Sequence, residues 1–267
     1  METAVAGPQG GPLIVLLHGF PDLWQGWHLL IGPLAENGFR VLAPNLRGYG
    51  RSDKPVGVLA YDLDVLAQDV RELVDSEGHD AFHLVGHDWG GMVAWWTAAR
   101  FPDRVSRLTV LSAPHPGVFG RYLFRNPVQL LRSWYVGFFQ IPYLPEALLR
   151  ANHFRMLTRS LESTAPPGLF GEAEIESLRE GWARPGSLTG MVNYYRAVFR
   201  RSRKSLQRAV TVPTVILTGS RDPTEEPGLA TASRELCRHA RVIVLEGVHH
   251  WPQREAPDRV LEEVLGV

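Results

Sequence analysis

Gly86-His87-Asp88-Trp89-Gly90-Gly91 carries the strongest chemical signal in the chain, because it follows a strand-like run, Ala81 to Val85, and precedes a helix-like segment, Met92 to Arg100. That is the form of a nucleophile elbow. In such a turn the central residue is held in a strained conformation with its side chain exposed above a sheet, and a Cβ on the flanking residues would clash where strand meets helix. Taken alone, the hexapeptide also fits an ordinary strand-to-helix turn with an N-capping Asp. As a nucleophile, the Asp88 carboxylate attacks a carbon that carries a leaving group and forms an ester, which water must then cleave. Cleavage needs a general base, an acid to orient that base, and donors for the oxyanion.

All three have candidates at fitting positions. The base lies in Gly247-Val248-His249-His250-Trp251-Pro252, with His250 the first choice and His249 the second. The orienting acid is Asp222, in Thr218-Gly219-Ser220-Arg221-Asp222-Pro223 at the C-terminal end of a strand, where functional residues of open α/β sheets gather. His18-Gly19-Phe20-Pro21 follows a buried strand, so the Phe20 N–H can face the elbow, and the Trp89 N–H supplies a second oxyanion donor. Nucleophile, acid and base then run in the chain order Asp88, Asp222, His250.

These residues need a scaffold. Leu13 to Leu17 is a continuous apolar run of strand length, as expected of a strand buried on both faces. Similar runs recur at Arg40 to Ala43, Ala81 to Val85, Val105 to Leu111, Val215 to Thr218 and Arg241 to Leu245, separated by amphipathic stretches such as Leu63-Val70-Leu73-Val74. Alternating strands and helices predict an α/β fold with a mostly parallel sheet. The alternation stops between about His115 and Ser205, where helix-like pieces occur around Pro127 to Phe139, Glu146 to Leu157, Glu172 to Glu180 and Leu188 to Phe199. A helical insertion in an α/β core is the plainest reading.

The 267 residues carry 28 Lys+Arg against 28 Asp+Glu, a zero net charge that argues against a nucleic-acid partner. The single cysteine, Cys237, excludes an internal disulfide and a Cys-rich metal site. Met1 to Pro12 lacks the pattern of an export signal, and no run of ~18 apolar residues occurs, so a cytoplasmic protein with no membrane partner is expected. His79, His83 and His87 are spaced like helical metal ligands but fall on a loop and strand, which predicts no metal site. Arg200, Arg201, Arg203, Lys204 and Arg208 read as a solvated helix end. Trp24, Trp27, Trp89, Trp134 and Trp251 fall in or near site motifs and suit an apolar pocket, whereas Trp95 and Trp96 suit the core.

Read together, these residues resemble the epoxide hydrolases of the α/β-hydrolase superfamily. The resemblance runs through His18-Gly19-Phe20-Pro21-Asp22 with Trp24 and Trp27, Leu46 to Asp53, the elbow, Ser112-Ala113-Pro114-His115-Pro116, and His250-Trp251. Haloalkane and fluoroacetate dehalogenases share the elbow and the final His, but the insertion separates them. The family places two tyrosines on a helical cap above the nucleophile. The first lies in a Tyr-x-x-x-Phe-Gln pattern, here Tyr135 to Gln140, and the second in an Asn-aromatic-Tyr-Arg pattern, here Asn193 to Arg196. Tyr135 and Tyr195 are therefore carried over as the acids that protonate the epoxide oxygen, with Tyr194 the alternative to Tyr195.

The resemblance implies an α/β-hydrolase core over residues 1–114 and 206–267, with a cap over 115–205 inserted after the sixth strand. It implies a small hydrophobic epoxide and water as substrates, a vicinal diol as product, a role in detoxification, no cofactor, and a monomer or homodimer. Trp24, Trp134, Phe139 and Trp251 become candidate substrate-binding residues. A dehalogenase with Trp89 in the halide cradle and a non-catalytic ligand receptor are the alternatives. The chain departs from the family in three places. Only Met1 to Pro12 stands where two further strands are usual, the loop Pro223 to Gly228 is short, and His249 replaces a common Gly.

Overall fold

Every residue of the strand Leu13–Leu17 (β2) is buried, because helices cover the sheet on both faces. Side chains alternate along it: Ile14 and Leu16 enter one apolar core, and Leu13, Val15 and Leu17 enter the other. In the computed structural model, residues 1–200 and 206–266 are described, Phe124 by its backbone alone. Arg201, Arg203 and Lys204 of the basic run, and the far boundary of the insertion, lie outside the described residues.

Among the described residues the sheet has seven strands in the order β1-β3-β2-β4-β5-β6-β7. The others are Thr3–Ala6 (β1), Arg40–Pro44 (β3), Phe82–His87 (β4), Val105–Leu111 (β5), Thr214–Gly219 (β6) and Ala240–Leu245 (β7). All neighbours are parallel except β1, which pairs antiparallel with β3, Thr3 opposite Pro44 and Ala6 opposite Val41. The chain ahead of the His-Gly strand thus supplies one short edge strand. The helical insertion consequently follows the fifth strand of this chain and not the sixth, since one strand stands where the family pattern has two.

Helices His28–Glu36 (α1), Leu63–Ser76 (α2) and Trp89–Arg100 (α3) connect the strands. Asp62 starts α2 by accepting the Asp64 N–H, and the helix buries Leu66, Val70 and Val74 along one stripe. Between β5 and β6 the described residues form no strand, only an isolated bridge from Val210 to Cys237, and the helices are Pro116–Arg125 (α4), Pro127–Arg132 (α5), Trp134–Phe138 (α6), Leu144–Ser163 (α7), Glu172–Trp182 (α8) and Ser187–Val198 (α9). The first of these has no counterpart in the sequence reading. α7 is broken where Asn152, His153 and Phe154 take φ of 49°, 56° and 59°. Beyond β6 the described residues form the helices Pro227–Arg234 (α10), Pro252–Glu255 (α11) and Pro257–Leu265 (α12). Among the described residues, no helix is long and apolar enough to cross a membrane.

The helical segment is fixed to the sheet by close backbone contact. A Cβ on Gly190 of α9 would lie 2.7 Å from the Cα of Gly48, so two glycines allow α9 to settle against the loop after β3. Within the segment, Arg196 bridges Glu146 and the carbonyls of Phe139 and Ile141, and the Gln140 side chain donates to the Tyr195 carbonyl. These contacts tie α6, α7 and α9 into one unit.

Candidate active site

Asp88 stands at the sharp turn between β4 and α3 with φ 49° and ψ −120°, a conformation costly for a residue with a side chain. Its neighbours show why glycine is required around it. A Cβ on Gly90 would lie 2.1 Å from the Leu17 carbonyl oxygen, and one on Gly86 would lie 2.4 Å from that of Gly90. The turn lifts the Asp88 carboxylate above the C-terminal ends of the strands, where Oδ1 accepts the Phe20 N–H at 2.7 Å. Burial raises the Asp88 carboxyl pKa, while the His250 charge and the amides of Phe20 and Trp89 oppose the rise.

His250, after β7, lies between two carboxylates. Its Nδ1 is 2.8 Å from Asp222 Oδ2, and its Nε2 is 3.8 Å from Asp88 Oδ2. The other Asp222 oxygen accepts the Thr224 N–H, the Thr224 hydroxyl and the Glu225 N–H at 2.7, 2.7 and 3.0 Å. Burial works against every charge here and is overcome at two of them. It would depress His250, but the Asp222 and Asp88 carboxylates raise the imidazole to about 9. It would raise Asp222, but the imidazolium and the Thr224 donors hold that carboxyl down at about 2.

Tyr135 on α6 and Tyr195 on α9 meet above Asp88 with ring centroids 5.8 Å apart, and the Tyr195 ring packs 4.8 Å from Trp89 and 5.5 Å from Phe20. Burial, followed by the charge of Asp88, raises both phenol pKa values, so both keep their protons at neutral pH. Tyr194 turns the other way on α9 and donates its hydroxyl to the Arg47 carbonyl at 2.8 Å, which separates it from the cavity.

Two cavities meet at this cluster. The outer one, about 480 Å³, is lined by Phe20, Trp134, Phe139, Leu149, Met156 and Trp251 among others. Leu149 and Met156 stand on either side of the break in α7. The inner one, about 60 Å³, is lined by Met92, Ser112, Gln129, Glu225 and Leu229 among others. Asp88, Tyr135, Tyr195, Thr224 and His250 line both.

Among the residues singled out from the sequence, Trp24 is not brought to the site. It lines neither cavity; its N–H donates to Asn45 Oδ1 and its ring packs on the core around α1. Trp27 is likewise buried in that core, because the short helical turn over Trp24–Trp27 faces α1 rather than the cavity. His249, the second base candidate, points away and pairs with Glu255 at 3.0 Å. Of the three spaced histidines, His83 bonds Thr109 within the sheet and His87 bonds the His250 carbonyl at 2.8 Å. No metal-ligating group of three occurs among the described residues.

Sequence reasoning missed several members. His87, which burial keeps neutral, donates Nε2–H to the backbone of His250 and so fixes the imidazole's position. His18 donates Nδ1–H to the Gly19 carbonyl and accepts the Leu46 N–H at Nε2, locking the loop that carries Phe20. The α5 helix clasps the acid loop: Gln129 donates to the Thr224 carbonyl and accepts the Glu226 N–H, and Arg132 donates to the Asp222 carbonyl. No local signal in the sequence pairs these positions, which lie about a hundred residues apart.

Residues 12–257 match the family described as alpha/beta hydrolase fold. The AB hydrolase superfamily protein YfhM of Bacillus subtilis is 37% identical over 99% of this chain and 93% of its own length. Epoxide hydrolase 4 of Homo sapiens is 37% identical over 96% of this chain and 72% of its own. Among solved structures, a Bacillus megaterium epoxide hydrolase in complex with an inhibitor superposes with a TM-score of 0.89 at 30% identity, covering 100% of this chain and 96% of the other.

Proposed function

The chain belongs to the α/β-hydrolase family, among its epoxide hydrolases, and from that premise we propose that it opens an epoxide to a vicinal diol through an ester on Asp88. The observation that carries this reading is the position of Asp88, with a charged base on one side and two protonated tyrosines on the other.

Asp88 Oδ attacks an epoxide carbon and the C–O bond breaks. The departing oxygen takes a proton from Tyr135 or Tyr195, which suit this because a buried phenol beside a carboxylate is neutral until an alkoxide forms. Forming the ester removes the negative charge of Asp88, and with it one of the carboxylates that raise His250. The imidazolium then gives up its proton more readily, to the tyrosinate left by ring opening, and a neutral imidazole is present at the step that needs a base. Held by Asp222, it takes a proton from water, the hydroxide adds to the ester carbonyl, and the amides of Phe20 and Trp89 stabilise the oxyanion. Collapse expels the diol oxygen, which takes the proton of the Asp88 carboxyl, so the diol leaves and Asp88, the tyrosine and the imidazolium are all regenerated. In this reading residues 115–205 act as the cap that delivers the tyrosines, Trp134, Phe139 and Trp251 shape the outer pocket, and the core is 1–114 with 206–267.

The test is diol formation from aryl and alkyl epoxides, run beside halide release from haloalkanes. Asp88→Ala is expected to abolish the first, and Tyr135→Phe to reduce it by about 10²-fold, as for loss of one oxyanion donor. Intact-mass spectrometry of His250→Gln after exposure to epoxide should show the ester as an adduct that Asp88→Ala lacks. Halide release with no diol would sink the proposal.

A further inference from the structure

Thr224 touches both members of the pair that moves the proton, Asp222 and His250. Its hydroxyl donates to Asp222 Oδ1 at 2.7 Å and lies 2.9 Å from His250 Nδ1. A hydroxyl has one hydrogen, so with that hydrogen spent on the carboxylate the contact with Nδ1 is made by an oxygen lone pair, and the Nδ1–H is the donor. That N–H is therefore shared between Asp222 Oδ2, at 2.8 Å, and Thr224 Oγ1. The surrounding groups are already fixed. Asp222 Oδ1 also accepts the N–H groups of Thr224 and Glu225 at 2.7 and 3.0 Å, which turns Oδ2 to the imidazole. The backbone of His250 is pinned on both sides, its N–H on the Thr164 carbonyl at 3.2 Å and its carbonyl on His87 Nε2 at 2.8 Å. What remains to be set is the rotation of the ring and the nitrogen that carries its proton when neutral. One bond to Oδ2 leaves the ring able to pivot about that contact, whereas two acceptors flanking the same N–H fix its plane. They also fix the tautomer. A neutral ring protonated at Nε2 would turn its Nδ1 lone pair toward a carboxylate oxygen, relieved only by a Thr224 hydrogen taken away from Oδ1.

We propose that Thr224 is a positioning residue for ester cleavage: its hydroxyl, bridging Asp222 and His250, holds the neutral imidazole with the proton on Nδ1 and the Nε2 lone pair toward the water that it deprotonates. This rests on the epoxide reading above and deepens it. The two halves of the reaction make different demands on the residue. Attack by Asp88 on the epoxide needs the carboxylate and the tyrosines but no base, whereas cleavage of the ester needs a neutral His250 in one tautomer and one orientation. Thr224 therefore matters to the second half far more than to the first. Its own place is set from α5: Gln129, 1% exposed, donates Nε2–H to the Thr224 carbonyl at 2.7 Å. The helical segment that carries Tyr135 thus also holds the threonine against the base.

The experiment mixes enzyme rapidly with excess styrene oxide or 1,2-epoxyhexane, quenches in acid and follows the ester by intact-mass spectrometry. Rate constants for ester formation and ester loss are fitted separately for wild type, Thr224→Val and Thr224→Ser. Both constants refer to a folded molecule, so a variant that folds poorly loses amplitude and not rate. Thr224→Val, close in shape but without the hydroxyl, should slow ester loss by about tenfold or more, the worth of a hydrogen bond to a charged group, so that the ester accumulates. Ester formation should change far less, and Thr224→Ser should restore most of the rate of loss. Equal slowing of both steps would make Thr224 a structural residue. Unchanged ester loss in Thr224→Val would leave the imidazole to Asp222 alone, and failure of serine to rescue would assign the effect to the methyl group. Each of these overturns the role and leaves the epoxide reading standing. No ester and no diol from either epoxide in wild type overturns the epoxide reading, and the role with it.

Discussion

His250 is more basic than an ordinary imidazole because Asp222 and Asp88 both face it, and that has a consequence for the free protein as well as for turnover. Burial alone would lower its pKa; the carboxylates reverse this and bring it to about 9, against 6.5 for an ordinary imidazole. A group whose folded pKa lies above its unfolded one stabilises the fold fully below the unfolded value, and that contribution is lost as pH rises through the folded value. The stability from His250 is accordingly complete below about pH 6.5 and declines through pH 9, by on the order of 3 kcal/mol. Melting temperature measured from pH 6 to pH 9.5 should therefore fall over that window. In His250→Asn, which cannot become charged, the slope should flatten; an equal slope in the variant would assign the loss to other groups. Asp222 acts in the opposite range, since its carboxyl is held at about 2 and its contribution disappears only under strong acid.

At the scale of elements, the site depends on contacts between segments remote in sequence, and Arg254 on α11 makes the most concentrated of them. Its guanidinium donates to Asp22 Oδ1 at 3.2 Å and to Glu174 of α8, and stacks 4.7 Å over the Phe170 ring. Asp22 has no exposed side-chain surface and follows the loop of Phe20, so one arginine joins the oxyanion loop, the helical segment and the C-terminal helices. Removing one partner of a buried ion pair leaves the other charge uncompensated, at a cost of about 3–5 kcal/mol. Arg254→Met should lower stability by that amount in chemical denaturation, and Asp22→Asn in the same background should restore part of it. A melt indistinguishable from wild type would show that Asp22 finds another partner. Such links explain what the sequence could reveal. The elbow, the Phe20 loop and the order Asp88, Asp222, His250 were legible because strand, turn and helix lie next to one another in the chain, each with its own local pattern. Tyr195 was preferred to Tyr194 only through the family pattern, since adjacent helical residues point about 100° apart and nothing in the local physics says which faces the cavity. Trp24 misled for a related reason: it sits four residues from Phe20, but its backbone is held by Asn45 and its ring belongs to the core around α1. The Gln129 and Arg132 clasp on the acid loop left no sequence trace at all.

For the molecule as a whole, a mostly parallel sheet must end somewhere, and each end is protected differently. At β7 the edge carries Arg241, paired with Glu263 of α12, a charge that discourages further strand addition. At the other side β1 is only four residues long and covers β3 by antiparallel pairing. The chain just before it does more than close an edge. Glu2 accepts hydrogen bonds from the Asn45 side chain at 2.6 Å and the Arg51 N–H at 2.8 Å, and its own N–H donates to the Ser52 hydroxyl. Asn45 in turn holds the Trp24 N–H at 2.9 Å, and Leu46 beside it donates to His18. The path runs from the first strand through Asn45 to the loop that carries Phe20. Deleting Met1 to Ala6 would expose the outer edge of β3 and release Asn45 together. The truncated protein should melt several degrees lower and scatter light at concentrations where the full chain does not, because an uncovered strand is a template for pairing between molecules. Glu2→Ala, which keeps the strand but removes the carboxylate, should lower the melting temperature without the scattering. If Glu2→Ala also aggregated, the carboxylate anchor rather than the strand pairing would be what keeps the edge covered. If the truncated protein stayed clear and melted like the full chain, the loop after β3 would be guarding that edge on its own.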